Sequence, residues 1–191
     1  MALIPSLIFI TGGVRSGKSR FAEKMAIELA HKTGGRLTFL ATGVPSDPEM
    51  KDRITKHKLD RESSNASWRT LEKTVQIGEM AEVIDHQDIV LMDCVTTLLN
   101  NELFQTNQEW TENFLTNVKD QIVSGILTIK KQARTVIVVS NEVLHEPFSE
   151  NKLVLAYVRV LGAIHQMFVR ASDQAFLVEA GIPIMMKGDQ S

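Results

Sequence analysis

The sequence predicts an α/β domain: a P-loop, RecA-like fold with a mostly parallel central sheet and helices on both faces. Three observations carry this. Short continuous apolar runs recur along the chain, "LIFI" at 7–10, "IVLM" at 89–92 and "VIVV" at 136–139. Strands buried on both faces read this way. Helical patterns separate the runs, as βαβ crossovers require. The first run also passes straight into a glycine loop, "GGVRSGKS" at 12–19. No repeat, low-complexity segment or linker interrupts the 191 residues, so one domain over 1–191 is expected.

The elements follow in order. Ser6–Thr11 is the first strand. "MALIPSLIFITGG" has the look of a short signal segment, but it lacks a basic start and leads into the loop, so it reads as strand. Gly17–Lys32 is a helix with Phe21, Met25, Ile27 and Leu29 among its apolar positions, stopped by Gly34-Gly35. Arg36–Ala41 is a second strand. Ser46-Asp47-Pro48-Glu49 has the form of a capping box with an early proline, and opens a helix to about Asp60. Residues 62–67 are a polar loop, and Thr74–Ile84 is expected to be helical. Ile89–Met92 is a buried strand ending at Asp93. Gln108–Gln132 reads as one long helix, Thr135–Ser140 as a strand and Ser149–Ala171 as a helix. "QAFLVEAGIPIMMK" (174–187) closes with one or two strands.

The formal net charge is −2, so no global basic field points to nucleic acid. The single cysteine, Cys94, excludes an internal disulfide framework and suits a reducing cytoplasm. No apolar run approaches the length of a membrane span.

Gly12-Gly13-Val14-Arg15-Ser16-Gly17-Lys18-Ser19 matches G-x-x-x-x-G-K-S. Glycines allow backbone angles that turn successive N–H groups onto phosphate oxygens. The following helix adds its N-terminal dipole. In such a loop the lysine reaches the β- and γ-phosphates and the serine hydroxyl ligates Mg²⁺. GTP or ATP and Mg²⁺ are therefore the expected ligands. Asp93, at the end of its strand, fits a Mg²⁺-water ligand. Glu142 follows the strand at 135–140 at the same carboxyl edge, where open sheets bind ligands. It reads as a base or metal-shell residue, or else as a solvated loop acid.

A regulatory GTPase needs N-K-x-D after a strand and D-x-x-G. Asn151-Lys152-Leu153-Val154 lacks the aspartate and Asp93-Cys94-Val95-Thr96 lacks the glycine. A compact transferase is the better reading. "EMKDRITKHKLDR" (49–61) places Arg53, His57 and Arg61 at i, i+4 and i+8, along one side of a helix. Five Lys/Arg stand against two Asp within 51–61. A basic stripe suits polyphosphate, and an imidazole can attack phosphorus. Spacing alone favours an exposed salt-bridged helix with an idle histidine. The other histidines, His31, His86, His145 and His165, read as surface or packing residues.

Together these segments resemble the adenosylcobinamide kinase/adenosylcobinamide-phosphate guanylyltransferase family. The matching stretches are "ITGGVRSGKSRFAE" (10–23), "FLAT" (39–42), "DPEMKDRITKHKLDR" (47–61), "WRTLE" (68–72), "LMDCVTTLLNN" (91–101), "VVSNEV" (138–143) and "ASDQAFLVEAGIPIMMK" (171–187). The resemblance implies two reactions. A nucleoside triphosphate phosphorylates the aminopropanol hydroxyl of adenosylcobinamide. GMP from GTP is then carried on a histidine to adenosylcobinamide phosphate, giving adenosylcobinamide-GDP. It makes His57 the guanylylated residue and Asp93 the acidic residue after the third strand. It also implies a RecA-type fold and a homotrimer with sites near subunit boundaries.

Departures from the family pattern cluster late in the chain. A glycine-rich loop is replaced by Leu144-His145-Glu146-Pro147-Phe148-Ser149. R-x-F-R-D is replaced by Leu155-Ala156-Tyr157-Val158-Arg159, and G-x-x-N-Q by Gly162-Ala163-Ile164-His165-Gln166. Two readings of another kind stay open: a P-loop kinase of a different small alcohol with no covalent nucleotide step, and a nucleotide-dependent regulatory or binding module.

Overall fold

A computed structural model describes residues 6–43, 55, 66–105, 108–143 and 151–188. Apart from Thr55, the helix expected from Ser46 to Asp60 lies outside these residues, as does the segment 144–149. The described chain forms one seven-stranded sheet. Its strands are β1 (Ser6–Gly12), β2 (Arg36–Ala41), β3 (Trp68–Glu72), β4 (Asp88–Asp93), β5 (Thr135–Asn141), β6 (Gln174–Glu179) and β7 (Ile182–Lys187). The spatial order is β3-β2-β4-β5-β1-β6-β7. All pairings are parallel except β6 with β7.

Among the described residues four α-helices cover the sheet: α1 (Lys18–Thr33), α2 (Val95–Phe104), α3 (Glu112–Gln132) and α4 (Lys152–Ala171). Side chains on the two faces alternate along each strand, which divides the core in two. On one face Ile8, Ile10, Leu91 and Val139 meet Ala22 and Ala26 of α1. On the other, Leu7, Phe9, Val90 and Val138 meet α2, α3 and α4. Burying both faces is why these strands are apolar throughout. Each wholly buried Leu, Ile or Phe contributes about 1.5–3 kcal/mol against its exposed state. α4 is long and apolar enough to cross a membrane by length and composition, with mean hydropathy 1.3. Its Val160, Leu161, Ile164 and Phe168 are instead buried in the core.

Two expectations need adjustment, and one strand has no counterpart in the sequence reading. Thr74–Ile84 is not an α-helix; only a 3₁₀ helix forms, at Ile77–Glu82. Gln76 just before it is left-handed (φ 51°), and Gly78 presses on Gly125 of α3, where an added Cβ would lie 3.0 Å from the Gly125 Cα. "WRTLE", which carries a family motif but no strand signal, forms β3. It is a half-exposed edge strand and lacks a continuous apolar run. The long helix starts at Glu112 rather than Gln108, because Thr111 caps it by accepting from Phe114 N–H.

The connections fix where ligands can bind. β1 and β5 are neighbours. The helix after β1, α1, packs on one face, whereas the helix after β5, α4, packs on the other. Chains leaving adjacent parallel strands to opposite faces open a crevice at their carboxyl ends.

Candidate phosphate-binding site

The glycine loop sits in that crevice. β1 ends at Gly12, and the loop turns through Arg15 (φ 60°) and Gly17 (φ 92°) into α1. Ser16 N–H donates to Gly13 O (3.2 Å) and Phe21 N–H to Gly17 O (3.0 Å). The Lys18 ammonium is buried and donates to Gly13 O (3.0 Å). The loop is thus drawn tight around its own backbone, with the lysine lying across it.

Two glycines are required sterically. A Cβ on Gly12 would stand 2.3 Å from Val178 O and 2.7 Å from Ser16 Oγ. A Cβ on Gly17 would press on Gly181 Cα at 3.2 Å, in a conformation that already disfavours side chains. Both contacts come from β6 and the turn after it, and Gly181 N–H also donates to Ser16 O (2.8 Å). Nothing in the sequence signals that the last hairpin walls the loop.

Among the described residues, Ser16 Oγ and Thr11 Oγ1 are buried without a hydrogen-bond partner. A buried hydroxyl without a partner costs about 1–3 kcal/mol. Orphans beside a glycine cradle mark a place for a polar ligand. α1 begins here with no side-chain cap and no acid in its first turn, so its N-terminal N–H groups and dipole remain available to an anion.

The other expected residues gather at the same edge. Glu142 N–H donates to Gly12 O (2.8 Å), pinning the end of β5 to the start of the loop. Asp93 ends β4, whose neighbour β5 separates it from β1. Asp93 and Ser19 are both half-buried. A hydroxyl and a carboxylate are the oxygen donors that Mg²⁺ takes, so the pair fits such an ion. Arg53, His57 and Arg61 lie outside the described residues.

A polar network backs this edge. Thr42 Oγ1 accepts from Cys94 N–H and donates to Cys94 O, both at 2.9 Å, which clasps the end of β2 to the end of β4. Asn141 Nδ2 donates to Thr96 Oγ1 (3.0 Å), tying β5 to the start of α2. Tyr157 Oη of α4 donates to Thr96 O (3.3 Å). Burial pushes the Cys94 thiol up, and the charge of Asp93 adds to this, so the sulfur stays protonated and inert. Burial likewise pushes the Tyr157 phenol up to about 12, with a contribution from Cys94.

His165 of α4 is buried, with its Nε2 2.7 Å from Ser140 Oγ and its ring 5.3 Å from that of Phe9. Burial lowers its pKa, against a weaker opposing pull from Glu142. It is a packing histidine, as expected, but one that braces the end of β5. The polar ends of "VVSN" and "MDCVTT" signal this network faintly; its pairings need the topology.

The fold agrees with that of a solved ATPase domain. The two superpose with a TM-score of 0.54 at 12% identity, covering 98% of this chain and 78% of that one. At such identity the likeness is one of fold. The family model for cobinamide kinase / cobinamide phosphate guanyltransferase, CobU, matches residues 8–186.

The chain belongs to this family.

Relatives agree over their full length. The bifunctional adenosylcobalamin biosynthesis protein CobU of Escherichia coli (strain K12) is 30% identical over 188 residues, covering 95% of this chain and 99% of the relative. CobU of Salmonella typhimurium (strain LT2) matches with the same identity and coverage. CobP of Pseudomonas aeruginosa is 29% identical over 181 residues, covering 94% and 96%. The chain is thus a P-loop enzyme of the cobinamide kinase and guanyltransferase family.

Proposed function

We propose that this chain phosphorylates adenosylcobinamide and then transfers GMP from GTP to adenosylcobinamide phosphate, by way of a guanylylated His57. The observation carrying most weight is the tight glycine cradle with its buried orphan hydroxyl, in a chain that matches the family from 8 to 186. Gly12 to Ser19 hold the triphosphate through backbone N–H groups. Lys18 moves from Gly13 O to the β- and γ-phosphates. Ser19 and Asp93 hold Mg²⁺, which when bound neutralises phosphate charge. Glu142 accepts the proton of the acceptor hydroxyl as its oxygen attacks the γ-phosphorus.

In the second reaction neutral His57 attacks the α-phosphorus of GTP. The bond to pyrophosphate breaks and pyrophosphate leaves, its charge met by Lys18, Arg53 and Arg61. A phosphate oxygen of the acceptor then attacks the same phosphorus, and the P–N bond to His57 breaks. By family resemblance the protein works as a homotrimer, and its single cysteine suits a reducing cytoplasm.

The test is covalent labelling. Purified protein is incubated with Mg²⁺ and GTP labelled at the α-phosphate, then denatured. Acid-labile, alkali-stable label is expected, and it should vanish in His57→Ala. GTP binding without label would sink the guanylyl transfer. Phosphorylated cobinamide without label would leave a kinase alone.

A further inference from the structure

A groove of about 280 Å³ opens between α2 and α4, lined by Asn100, Phe104, Trp110, Leu153, Val154 and Tyr157. Its walls are unusually apolar for a surface: Phe104 is 66% exposed, Leu153 52% and Val154 44%. Phe104 and Trp110 form a tilted aromatic pair with ring centroids 5.1 Å apart. One amide, Asn100, stands among these side chains. Contiguous exposed apolar side chains rimmed by polar ones mark binding sites rather than ordinary surface.

Hydrogen bonds at Thr96 tie the groove to the end of β5. Thr96, Asn100 and Phe104 lie at i, i+4 and i+8 on α2, and Leu153 and Tyr157 at i and i+4 on α4, so each set shares one side of its helix. The two rows meet at the base, where Tyr157 Oη bonds Thr96 O and Asn141 bonds the Thr96 hydroxyl. From that base the helix rise carries Asn100 and Phe104 about 6 and 12 Å outward.

We infer that this groove seats the ring system of the corrinoid acceptor, an assignment that rests on the function proposed above. A corrin is a flat ring system with apolar faces and an amide-bearing rim, and its reactive hydroxyl hangs on a flexible arm. Aromatic and aliphatic walls match the faces, and Asn100 matches a rim amide. A ring held about 6–12 Å out along α2 leaves its arm free to reach the crevice where the phosphates are held. The groove takes one edge of the ring, since its volume falls just short of a pocket that encloses a drug-sized ligand.

The test uses dicyanocobinamide as probe with the full chain. Binding is read as quenching of tryptophan fluorescence, turnover as phosphorylated and guanylylated product, and assembly by sedimentation. Phe104→Ser with Leu153→Ser removes exposed side chains, so folding is preserved. The expected result is a cobinamide Kd and KM about tenfold higher, with the KM for GTP within about twofold and the oligomeric state unchanged. Met186→Ser, an equally exposed side chain on β7, should move none of these. Unchanged cobinamide binding in the double variant overturns the assignment. So does weaker binding accompanied by dissociation of the assembly, which would make the groove an interface between copies. Parent protein that binds cobinamide in the groove but transfers nothing to it would refute the proposed function and leave the groove standing. Parent protein that transfers normally, with a KM the double variant keeps, would refute the groove alone. Parent protein that neither binds nor transfers overturns both.

Discussion

At the amino ends of β2 and β4, Asp88 is wholly buried and its oxygens are fully engaged. It takes two bonds from the Arg36 guanidinium (2.6 and 2.8 Å), one from Thr38 Oγ1 (2.8 Å) and one from Asp85 N–H (2.9 Å). Burial pushes the Asp88 carboxyl up, but these donors outweigh it and hold the group below the usual carboxylate range. Arg36 is pushed up in turn by its bonds to Asp88 and then Asp85. Arg134 closes the same end by donating to Thr33 O and His86 O. At the carboxyl ends of β1, β4 and β5 the rule is reversed. Ser16 and Thr11 hydroxyls are buried without partners, and Lys18 rests on a backbone carbonyl. The Asp88 cluster is finished by its own side chains; the glycine cradle is left for a ligand to finish.

Substitutions at the two edges should therefore separate stability from activity. The largest effect is expected from Lys18→Ala, which should lower both transfer activities by at least about 100-fold. Its thermal midpoint should stay near that of the parent, measured by circular dichroism without nucleotide. An unfolded Lys18→Ala protein would break the contrast at once.

Asp88→Ala should do the opposite. Arg36, Thr38 and the Asp85 N–H would lose their acceptor, at about 3 kcal/mol. This is the lower end of the range for a broken buried pair, because Arg36 stays 41% exposed and can rehydrate. Urea unfolding should report the loss, while the KM for GTP of the folded fraction stays unchanged.

The smallest effect sharpens the comparison through pH. The folded pKa of His165 is depressed. Between that pKa and the unfolded value near 6.5, the unfolded chain holds more protons than the folded one. Stability therefore rises with pH in that window, and falls as pH drops below about 6.5. His165→Asn keeps an amide facing Ser140 and should remove this acid limb. Urea midpoints at pH 5 and 7 for both proteins would check it; an equal acid limb in the variant would assign the effect elsewhere.

The parts of the fold that are legible in the sequence share one property, that their signal is local. Apolar runs such as "IVLM" and "VIVV" need only burial on both faces, and "GGVRSGKS" needs only the backbone geometry that phosphate demands. The α2 helix escapes a sequence reading because Val95, Thr96 and Thr97 are β-branched, and its Cys94 N-cap makes no side-chain cap. Tertiary burial of Leu98, Leu99 and Leu103 decides it instead. The edge strand β3 escapes because its alternation is broken by half exposure. The carboxyl-edge network is hidden because its pairs are far apart in sequence. Thr42 with Cys94, Asn141 with Thr96 and Ser140 with His165 each join different elements. Nothing in the spacing of a short polar residue names a partner that the sheet order will bring to it.

The wall that Val178 and Gly181 build against Gly12, Ser16 and Gly17 also has a consequence for synthesis. The loop leaves the ribosome well before its wall, which lies about 160 residues further along the chain. A nascent chain can therefore carry the complete glycine motif and still lack a finished cradle. Capture of nucleotide becomes a late event, available only once β6 has docked beside β1. In effect, a bound nucleotide would report that the sheet has been assembled through β6.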